Sequence, residues 1–357
     1  MHTPTFKEMV QVLTWDPGME PWCAALHSSF VNEIVENVEQ LARKFNPNNE
    51  EDCYLQTLLD LGLQRVLTAP ETSYRLLWQP HSEDSFEFLR ECLSTELIIE
   101  SGVSDVSMRW SALGDVYLGD QVYEHLVPGL SPIDFGSPYA LFANYQEGPA
   151  RLADVHRHLK KKARRSVLEK LGGASTILAN SAPFVPQFCR TFLKVIVCIP
   201  DKHDPDLFCS GTSAQFVGRA IFTNPHLSSV SAEAIAEAIV HEATHGMLYM
   251  QERTMPWVPP EYYGPEDKTY VSPWTGTPLP LRPYLQAYFV WFGILNFWLR
   301  VHESPEWQRG RVRNRIRTAL GGFLRSNIAQ DKRLSIVDEG LVEELIVMTE
   351  NVRRLAE

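Results

Sequence analysis

The sequence has 357 residues, of which 44% are hydrophobic, and a formal net charge of −11 at pH 7. This length accommodates a large core and one or two domains. The acidic balance argues against nucleic acid as the main partner, because a phosphate backbone is bound by clustered lysine and arginine. The basic run HRHLKKKARR at residues 156–165 predicts a solvated helix, and an anion-binding patch is the alternative.

The compartment can also be inferred from the sequence. The N-terminal stretch MHTPTFKEMVQVLTWDPGME has no basic segment followed by a long apolar run, so no secretory signal is expected. The longest apolar stretch, at residues 287–299, is too short to cross a bilayer and predicts a buried helix. The cysteines show no CxxC pair and no compact disulfide spacing. We therefore expect a cytoplasmic protein with reduced thiols and no membrane partner.

The first half of the chain has the periodicity of amphipathic helices. SSFVNEIVENVEQLARKF places four apolar residues on one stripe, namely Phe30, Ile34, Val38 and Leu41. DSFEFLRECLSTELIIES repeats the pattern with Phe88, Cys92 and Leu93. Between residues 107 and 148 the periodicity breaks up among prolines and glycines, which predicts an irregular connection.

The composition and periodicity of the sequence change in the second half. TFLKVIVCIP and AQFVGRAIFTNP predict two strands, and Ser231 is a candidate N-cap for the helix AEAIAEAIVHEATHGMLYMQE. Residues 255–283 are rich in proline, glycine and aromatic side chains, and we expect an ordered loop over the core. A helix beginning near Pro283 and two C-terminal amphipathic helices follow. We predict a helical N-terminal region at residues 1–170, with substrate recognition as a candidate role, and a metal-binding catalytic core at residues 171–357.

The segment IVHEATHGMLY at residues 239–249 contains an HExxH motif. Helix positions four apart share a face, so His241 and His245 can both direct an imidazole nitrogen at one metal ion. Glu242 would lie beside that ion, where in a hydrolase it accepts a proton from the activated water. Two strands followed by this helix predict an α+β, mainly helical fold with a zincin-like metal core.

Two histidines need a third protein ligand from elsewhere in the chain. The metzincin pattern requires a histidine six residues after the second histidine, and this position is Gln251. A gluzincin has its glutamate on a downstream helix, whereas Glu261 and Glu266 lie in the proline-rich connection. Neither peptidase signature is satisfied.

A wider pattern joins the motif to SPWTGTPLPLRPYLQAYFVWFGILNFW at residues 272–298. A strand pair precedes the HExxH helix, a Pro-Trp follows it, and a Pro-Leu leads into an aromatic helix that ends in Phe-Trp. Over about residues 180 to 300 this resembles the HExxH-motif proteins of peptide natural-product clusters, which include 2-oxoglutarate-dependent peptide β-hydroxylases. The resemblance implies Fe(II) and 2-oxoglutarate as cofactors and a peptide or peptide-like substrate.

The resemblance also implies a histidine in the second helix, at the position where this chain has Gln286. Glutamine offers a metal only a neutral amide oxygen, so Gln286 is a candidate third ligand or a buried amide. His302, sixteen residues later, cannot share its helix face and is predicted to be a surface residue. Arg282 and Arg219 are candidate partners for the distal carboxylate of the keto acid, with ordinary ion pairs as the alternative.

Three functions are therefore open. The first is an Fe(II)- and 2-oxoglutarate-dependent oxygenase that hydroxylates a peptide or peptide-like substrate in natural-product biosynthesis. The alternative is a zinc metallopeptidase with Glu242 as general base. The third is a binding protein with a degraded site, because Gln286 replaces a histidine. The sequence identifies neither the atom oxidised nor the oligomeric state.

Overall fold

The protein is represented by a computed structural model that describes residues 5–45, 64–79, 82–101, 109–118, 123–124, 126–141, 159–201, 203–259, 270–303 and 309–356. These ranges are mainly helical with a small mixed sheet, as predicted. They divide into two compact units. We call Met1–Leu26, Thr176–Phe188 and Met247–Glu357 the helical unit, and His27–Ser175 and Cys189–Gly246 the sheet unit. The predicted functional division at residues 170 and 171 stays a prediction.

Helices of the first half form because their apolar stripes can be buried. The bounds are α1 Phe6–Val12, α2 Glu20–Phe45, α3 Gln64–Leu67, α4 Pro70–Leu77, α5 Glu83–Ser101, α6 Pro138–Leu141, α7 Lys161–Ser181 and α8 Phe184–Phe192. The predicted stripes on α2 and α5 are confirmed, since all seven of their apolar residues are buried. Lys161 and Lys162 are exposed in the first turn of α7, and residues 156–158 of the basic run lie outside the described ranges.

The main sheet of the sheet unit has the strand order β4-β5-β7-β6. Its strands are β4 Ile133–Asp134, β5 Val195–Ile199, β6 Cys209–Gly211 and β7 Arg219–Thr223. β5 is parallel to both β4 and β7, whereas β6 is antiparallel to β7. β5 is rich in β-branched residues and almost wholly buried, as a central parallel strand requires. The two strands predicted from sequence, β5 and β7, are confirmed.

The prediction of an irregular connection at residues 107–148 is wrong for part of its length. β1 Arg109–Trp110, β2 Val116–Leu118 and β3 Tyr123–Glu124 form a small antiparallel sheet, and β4 lies beside β5. Strands of two or three residues are too short to show an alternating pattern, so periodicity cannot predict them. Residues 142–148 lie outside the described ranges.

In the helical unit, the chain after residue 254 continues with a short hairpin and three helices. The bounds are β8 Tyr270–Val271, β9 Pro278–Leu279, α10 Leu281–Glu303, α11 Arg309–Arg325 and α12 Glu339–Arg354, with two 3₁₀ turns at Ile328–Gln330 and Lys332–Ile336. The predicted helix near Pro283 and the two C-terminal helices are confirmed. Among the described helices none is long and apolar enough to span a bilayer.

The hairpin is tied to α11 by a tryptophan. The indole Nε1 of Trp274 donates a hydrogen bond to the carbonyl oxygen of Ala319 over 2.8 Å. A Cβ atom at Gly322 would overlap the Trp274 ring, so glycine is required for this close approach. The predicted loop over the core is described only at its ends, because residues 260–269 lie outside the described ranges.

Candidate metal site

The HExxH helix, α9 Ala232–Thr254, begins where the sequence predicts. The Ser231 hydroxyl accepts a hydrogen bond from the backbone N–H of Ala234 over 3.3 Å, which is the expected N-cap contact. In the C-terminal half of α9, Gly246 lies against the backbone of Phe192, and a Cβ atom there would overlap the Phe192 carbonyl oxygen. A glycine directly after His245 therefore allows the helix to approach the chain segment that leads into β5.

His241 and His245 lie one helical turn apart on α9, and their ring centroids are 5.0 Å apart. Both side chains are half-buried. Burial, with a smaller contribution from neighbouring His245, lowers the pKa of His241 from 6.5 to about 3. His241 is therefore neutral at physiological pH, the form in which imidazole can donate a nitrogen lone pair to a metal.

Glu242 is 2% exposed and is held by one hydroxyl from the sheet. The Oγ of Ser210, on β6, donates to Glu242 Oε1 over 2.6 Å. Glu242 Oε2 is buried and has no hydrogen-bond partner among the described residues. Burial raises the pKa of Glu242 from 4.5 to about 7, and the Ser210 hydrogen bond opposes this shift. The carboxyl group can thus hold or release a proton near neutral pH.

The loop that carries Ser210 is organised by Asn224, which follows β7. Asn224 has a left-handed backbone with φ of 53°. Its Oδ1 accepts from the backbone N–H of Asp201 over 2.8 Å, and its Nδ2 donates to the carbonyls of Asp204 and Leu207 over 2.8 and 2.9 Å. One side chain therefore closes the connection between β5 and β6 and fixes the start of the strand that reaches Glu242.

Arg219, a predicted keto-acid partner, lies at the start of β7 and is 3% exposed. Its guanidinium donates to Glu71 Oε2 over 3.3 Å, and Glu71 Oε1 also accepts from Arg75 over 3.0 Å. Desolvation lowers the pKa of Arg219, and the charges of Glu71 and Asp134 oppose this shift. The structure thus places Arg219 in a buried ion-pair network, and its predicted role toward a keto acid stays a prediction.

Arg282 and Gln286, on α10, lie together in the helical unit around Glu252. Glu252 Oε2 accepts from Arg282 Nε over 2.6 Å and from Gln286 Nε2 over 3.4 Å. Glu252 and Gln286 are buried at 5% and 2% exposure, and the Arg282 guanidinium also lies over the ring of Tyr249. Burial raises the pKa of Glu252, and the hydrogen bond from Arg282 opposes the shift. Their predicted roles as ligand and cofactor partner are untested by these contacts.

The donor types at the histidine pair fit a divalent transition metal in part. Two imidazoles on one helix face, of which His241 is neutral, and a buried Glu242 oxygen that has no hydrogen-bond partner in the described ranges are the groups that such an ion binds. Within the described ranges, no three or more His, Cys, Asp and Glu side chains are grouped so that they could hold a metal. His302 lies in the last turn of α10 and is half-buried.

Sequence reasoning missed the residues that contact the predicted site residues. Each of these contacts joins residues that are far apart in the sequence, so no local pattern relates them. The separations are 32 residues for Ser210 and Glu242, 148 for Glu71 and Arg219, and 34 for Glu252 and Gln286. Asn224 gave a usable signal, because an asparagine before a proline at the end of a strand favours a turn. The five described cysteines are free thiols, in agreement with the expectation.

No protein-family model matches the chain, and no curated protein matches it.

Proposed function

We propose that the chain is an Fe(II)- and 2-oxoglutarate-dependent oxygenase that hydroxylates a peptide or peptide-like substrate. The observation that carries the proposal is the pair of half-buried imidazoles on α9, of which His241 is held neutral. The order of β5, β7, α9, the Trp274 hairpin and α10 supports the resemblance to the HExxH-type peptide β-hydroxylases. A zincin-like core belongs to the same proposal.

In this proposal His241 and His245 hold the iron, and Gln286 is the candidate third ligand. When bound, iron and the keto acid would together supply the oxidising power for hydroxylation. The described contacts of the chain orient its proposed metal-binding side chains. Ser210 holds the Glu242 carboxylate in one orientation, and the contact of Gly246 with Phe192 fixes the helix that carries both histidines. The half-exposed guanidinium of Arg282 is the group that would bind the distal carboxylate of the keto acid with two hydrogen bonds.

The experiment uses the full chain, loaded with Fe(II) without oxygen and then given 2-oxoglutarate, O₂ and candidate peptides. We expect succinate formation and a peptide product heavier by one oxygen atom. His241→Ala and His245→Ala should abolish both signals and lower bound metal, measured by mass spectrometry of the intact complex. His203→Ala removes an exposed loop histidine and is the matched control. Absence of succinate with every peptide, together with zinc-dependent cleavage, would contradict the proposal.

The zinc metallopeptidase is the second candidate, and Glu242 favours it. Oε1 of this carboxylate is occupied by Ser210, whereas Oε2 has no partner within the described ranges. A peptidase needs such an oxygen beside the metal to accept a proton from the attacking water. An oxygenase has no equivalent need for a water-activating base.

Glu242→Gln separates the two candidates. A peptidase variant should lose several orders of magnitude in cleavage rate while it keeps its metal. An oxygenase variant with full metal occupancy should keep measurable 2-oxoglutarate turnover, with altered coupling of succinate to product. A fully loaded variant without turnover of any kind would count against the oxygenase. Stoichiometric metal with turnover in the unaltered chain would exclude the third function, a binding protein with a degraded site.

A further inference from the structure

Helix α11 is the most basic described element of an acidic protein. Its sequence, RGRVRNRIRTALGGFLR, contains six arginines and no aspartate or glutamate, whereas the whole chain has a net charge of −11. Acidic residues at i±3 or i±4 would neutralise such arginines within the helix, and α11 has none. The candidate metal site uses no residue of this helix.

The helix has an inner stripe that is buried. Val312, Ala319 and Phe323 repeat at intervals of seven and four residues and are each at most 1% exposed. α11 packs on α10, and the Arg315 guanidinium lies 5.2 Å from the centroid of the Trp298 ring. Arg315 is therefore part of the packing. The inner stripe explains why α11 is a helix, and the exposed residues Arg313 and Arg317 lie outside it.

An outer stripe lies about 100° round the helix from the inner one. It consists of Arg313, Arg317, Leu320 and Leu324, which follow the spacing i, i+4, i+7 and i+11. Arg313 and Arg317 are exposed, Leu320 is half-buried and Leu324 is 51% exposed. Two cations at one end and two leucines at the other thus form a single strip about 16 Å long.

We propose that the outer stripe binds a peptide segment that carries two carboxylates followed by apolar side chains. Arginines four apart have Cβ atoms about 6 Å apart, which matches carboxylates one turn apart on a helical peptide. Each guanidinium can hold a carboxylate with two hydrogen bonds, and the leucines provide apolar contacts beyond them. The identity of this segment as part of the peptide substrate rests on the proposed function.

The charge pattern favours such a peptide over other anions. A nucleic acid needs many cations along its backbone, and here two exposed arginines are followed by leucines. The net negative charge of the chain opposes an acidic partner only weakly, because salt at physiological strength screens charges beyond about 8 Å.

The test is a binding measurement with the full chain, without added metal or keto acid. The probe is a fluorescein-labelled helical peptide with glutamates at i and i+4 and leucines at i+7 and i+11, and a scrambled peptide of the same composition is compared with it. We expect the patterned peptide to bind at least about tenfold more tightly than the scrambled one. Arg313→Glu with Arg317→Glu should weaken binding about tenfold or more, because two attractive pairs become repulsive. Leu324→Ser should weaken it severalfold.

The matched control is Lys161→Glu with Lys162→Glu, which makes the same charge change on two exposed lysines of α7. It should leave binding unchanged. Equal binding of both peptides, or equal loss in the control, would overturn the proposal. So would tighter binding of a single-stranded oligonucleotide or of phosphatidylserine vesicles, or a dimer that Leu324→Ser dissociates. Patterned binding without turnover would leave this proposal standing and count against the proposed function, whereas turnover without patterned binding would do the reverse.

Discussion

At the scale of single residues, two buried glutamates each leave one carboxylate oxygen unused by the described residues. These are Oε2 of Glu242 and Oε1 of Glu252. A buried polar atom without a hydrogen bond is unfavourable by about 1–3 kcal/mol, so such atoms in a folded protein commonly meet a water, an ion or a ligand. Their environments differ, because Glu242 is held by a neutral hydroxyl and Glu252 by a guanidinium.

Ser210→Ala should destabilise the fold by about 1–3 kcal/mol, because Glu242 loses its one described hydrogen-bond donor. The measurement is the free energy of unfolding in urea for Ser210→Ala, Glu242→Gln and the double variant. We expect the serine change to have a smaller effect in the Glu242→Gln background, because the two residues are in contact. If the losses of unfolding free energy in the two single variants add up to the loss in the double variant, the contact is contradicted.

Glu71→Leu should be more destabilising than any single change of its partners. It leaves Arg219, which is 3% exposed, without its ion-pair partner, at a cost of about 3–5 kcal/mol. Arg75→Met is the control: Arg75 is 20% exposed, and Glu71 keeps Arg219, so we expect about 1 kcal/mol. Unfolding in urea measures both. Equal losses would show that the Arg219 contact has no special weight.

At the scale of secondary-structure elements, Gly246 determines how closely α9 approaches the segment before β5. In a helix interior alanine is more favourable than glycine by about 1 kcal/mol. Gly246→Ala should nevertheless destabilise the fold by about 1–3 kcal/mol, because the new methyl group would overlap the Phe192 carbonyl oxygen. Gly172→Ala in α7 is the matched control, since a Cβ there meets nothing within 4 Å. We expect it to stabilise by up to about 1 kcal/mol, measured by urea unfolding.

The elements predicted correctly are those with long, strong local patterns. β5, β7, α9 and α10 have continuous apolar runs or 3.6-residue periodicity, and Ser231 is a local capping signal. β6 consists of Cys209, Ser210 and Gly211, a composition without strand preference, and it forms because β7 offers a free edge for pairing. Tertiary pairing therefore produces the strand that supports Glu242, and local sequence could not reveal it.

The candidate site shows the same limit. HExxH spacing identified His241, Glu242 and His245, because all three are related within one helix turn. The ion pairs of Arg219 and Arg282 depend on Glu71 and Glu252, which local sequence does not connect to them. For each arginine the sequence left open an ordinary ion pair or a keto-acid contact. The glutamate that pairs with each guanidinium can be identified only in the folded chain.

At the scale of the whole molecule, stability should depend on pH through His27 on α2. Burial, and then the charge of Lys194, lowers the pKa of this imidazole from 6.5 to about 4. Between these values the unfolded chain binds more protons than the folded one, so the contribution of His27 is full above pH 6.5 and is lost as the pH falls toward 4.

Other groups titrate in the same pH range, so the test compares the pH dependence of stability in a variant with that of the unaltered chain. We expect the loss of unfolding free energy between pH 7 and pH 5 to be smaller for His27→Gln than for the unaltered chain. Urea unfolding at both pH values measures it. His203→Gln, which changes an exposed loop histidine, should leave the difference as it is. An unchanged slope in His27→Gln would show that this imidazole is equally easy to protonate in both states.

The close contact at Gly246 has a consequence for reading related sequences. The residues HEATHG at 241–246 combine two demands: the histidines and the glutamate form the proposed metal site, and the final glycine permits packing against Phe192. Under the proposed function, a descendant chain that lost the activity but stayed folded would be free to exchange His241, Glu242 and His245, while position 246 would still exclude any residue with a Cβ atom. In such a lineage a retained glycine next to altered histidines would show that the fold was inherited, and only retained histidines would show that the proposed metal site was inherited with it.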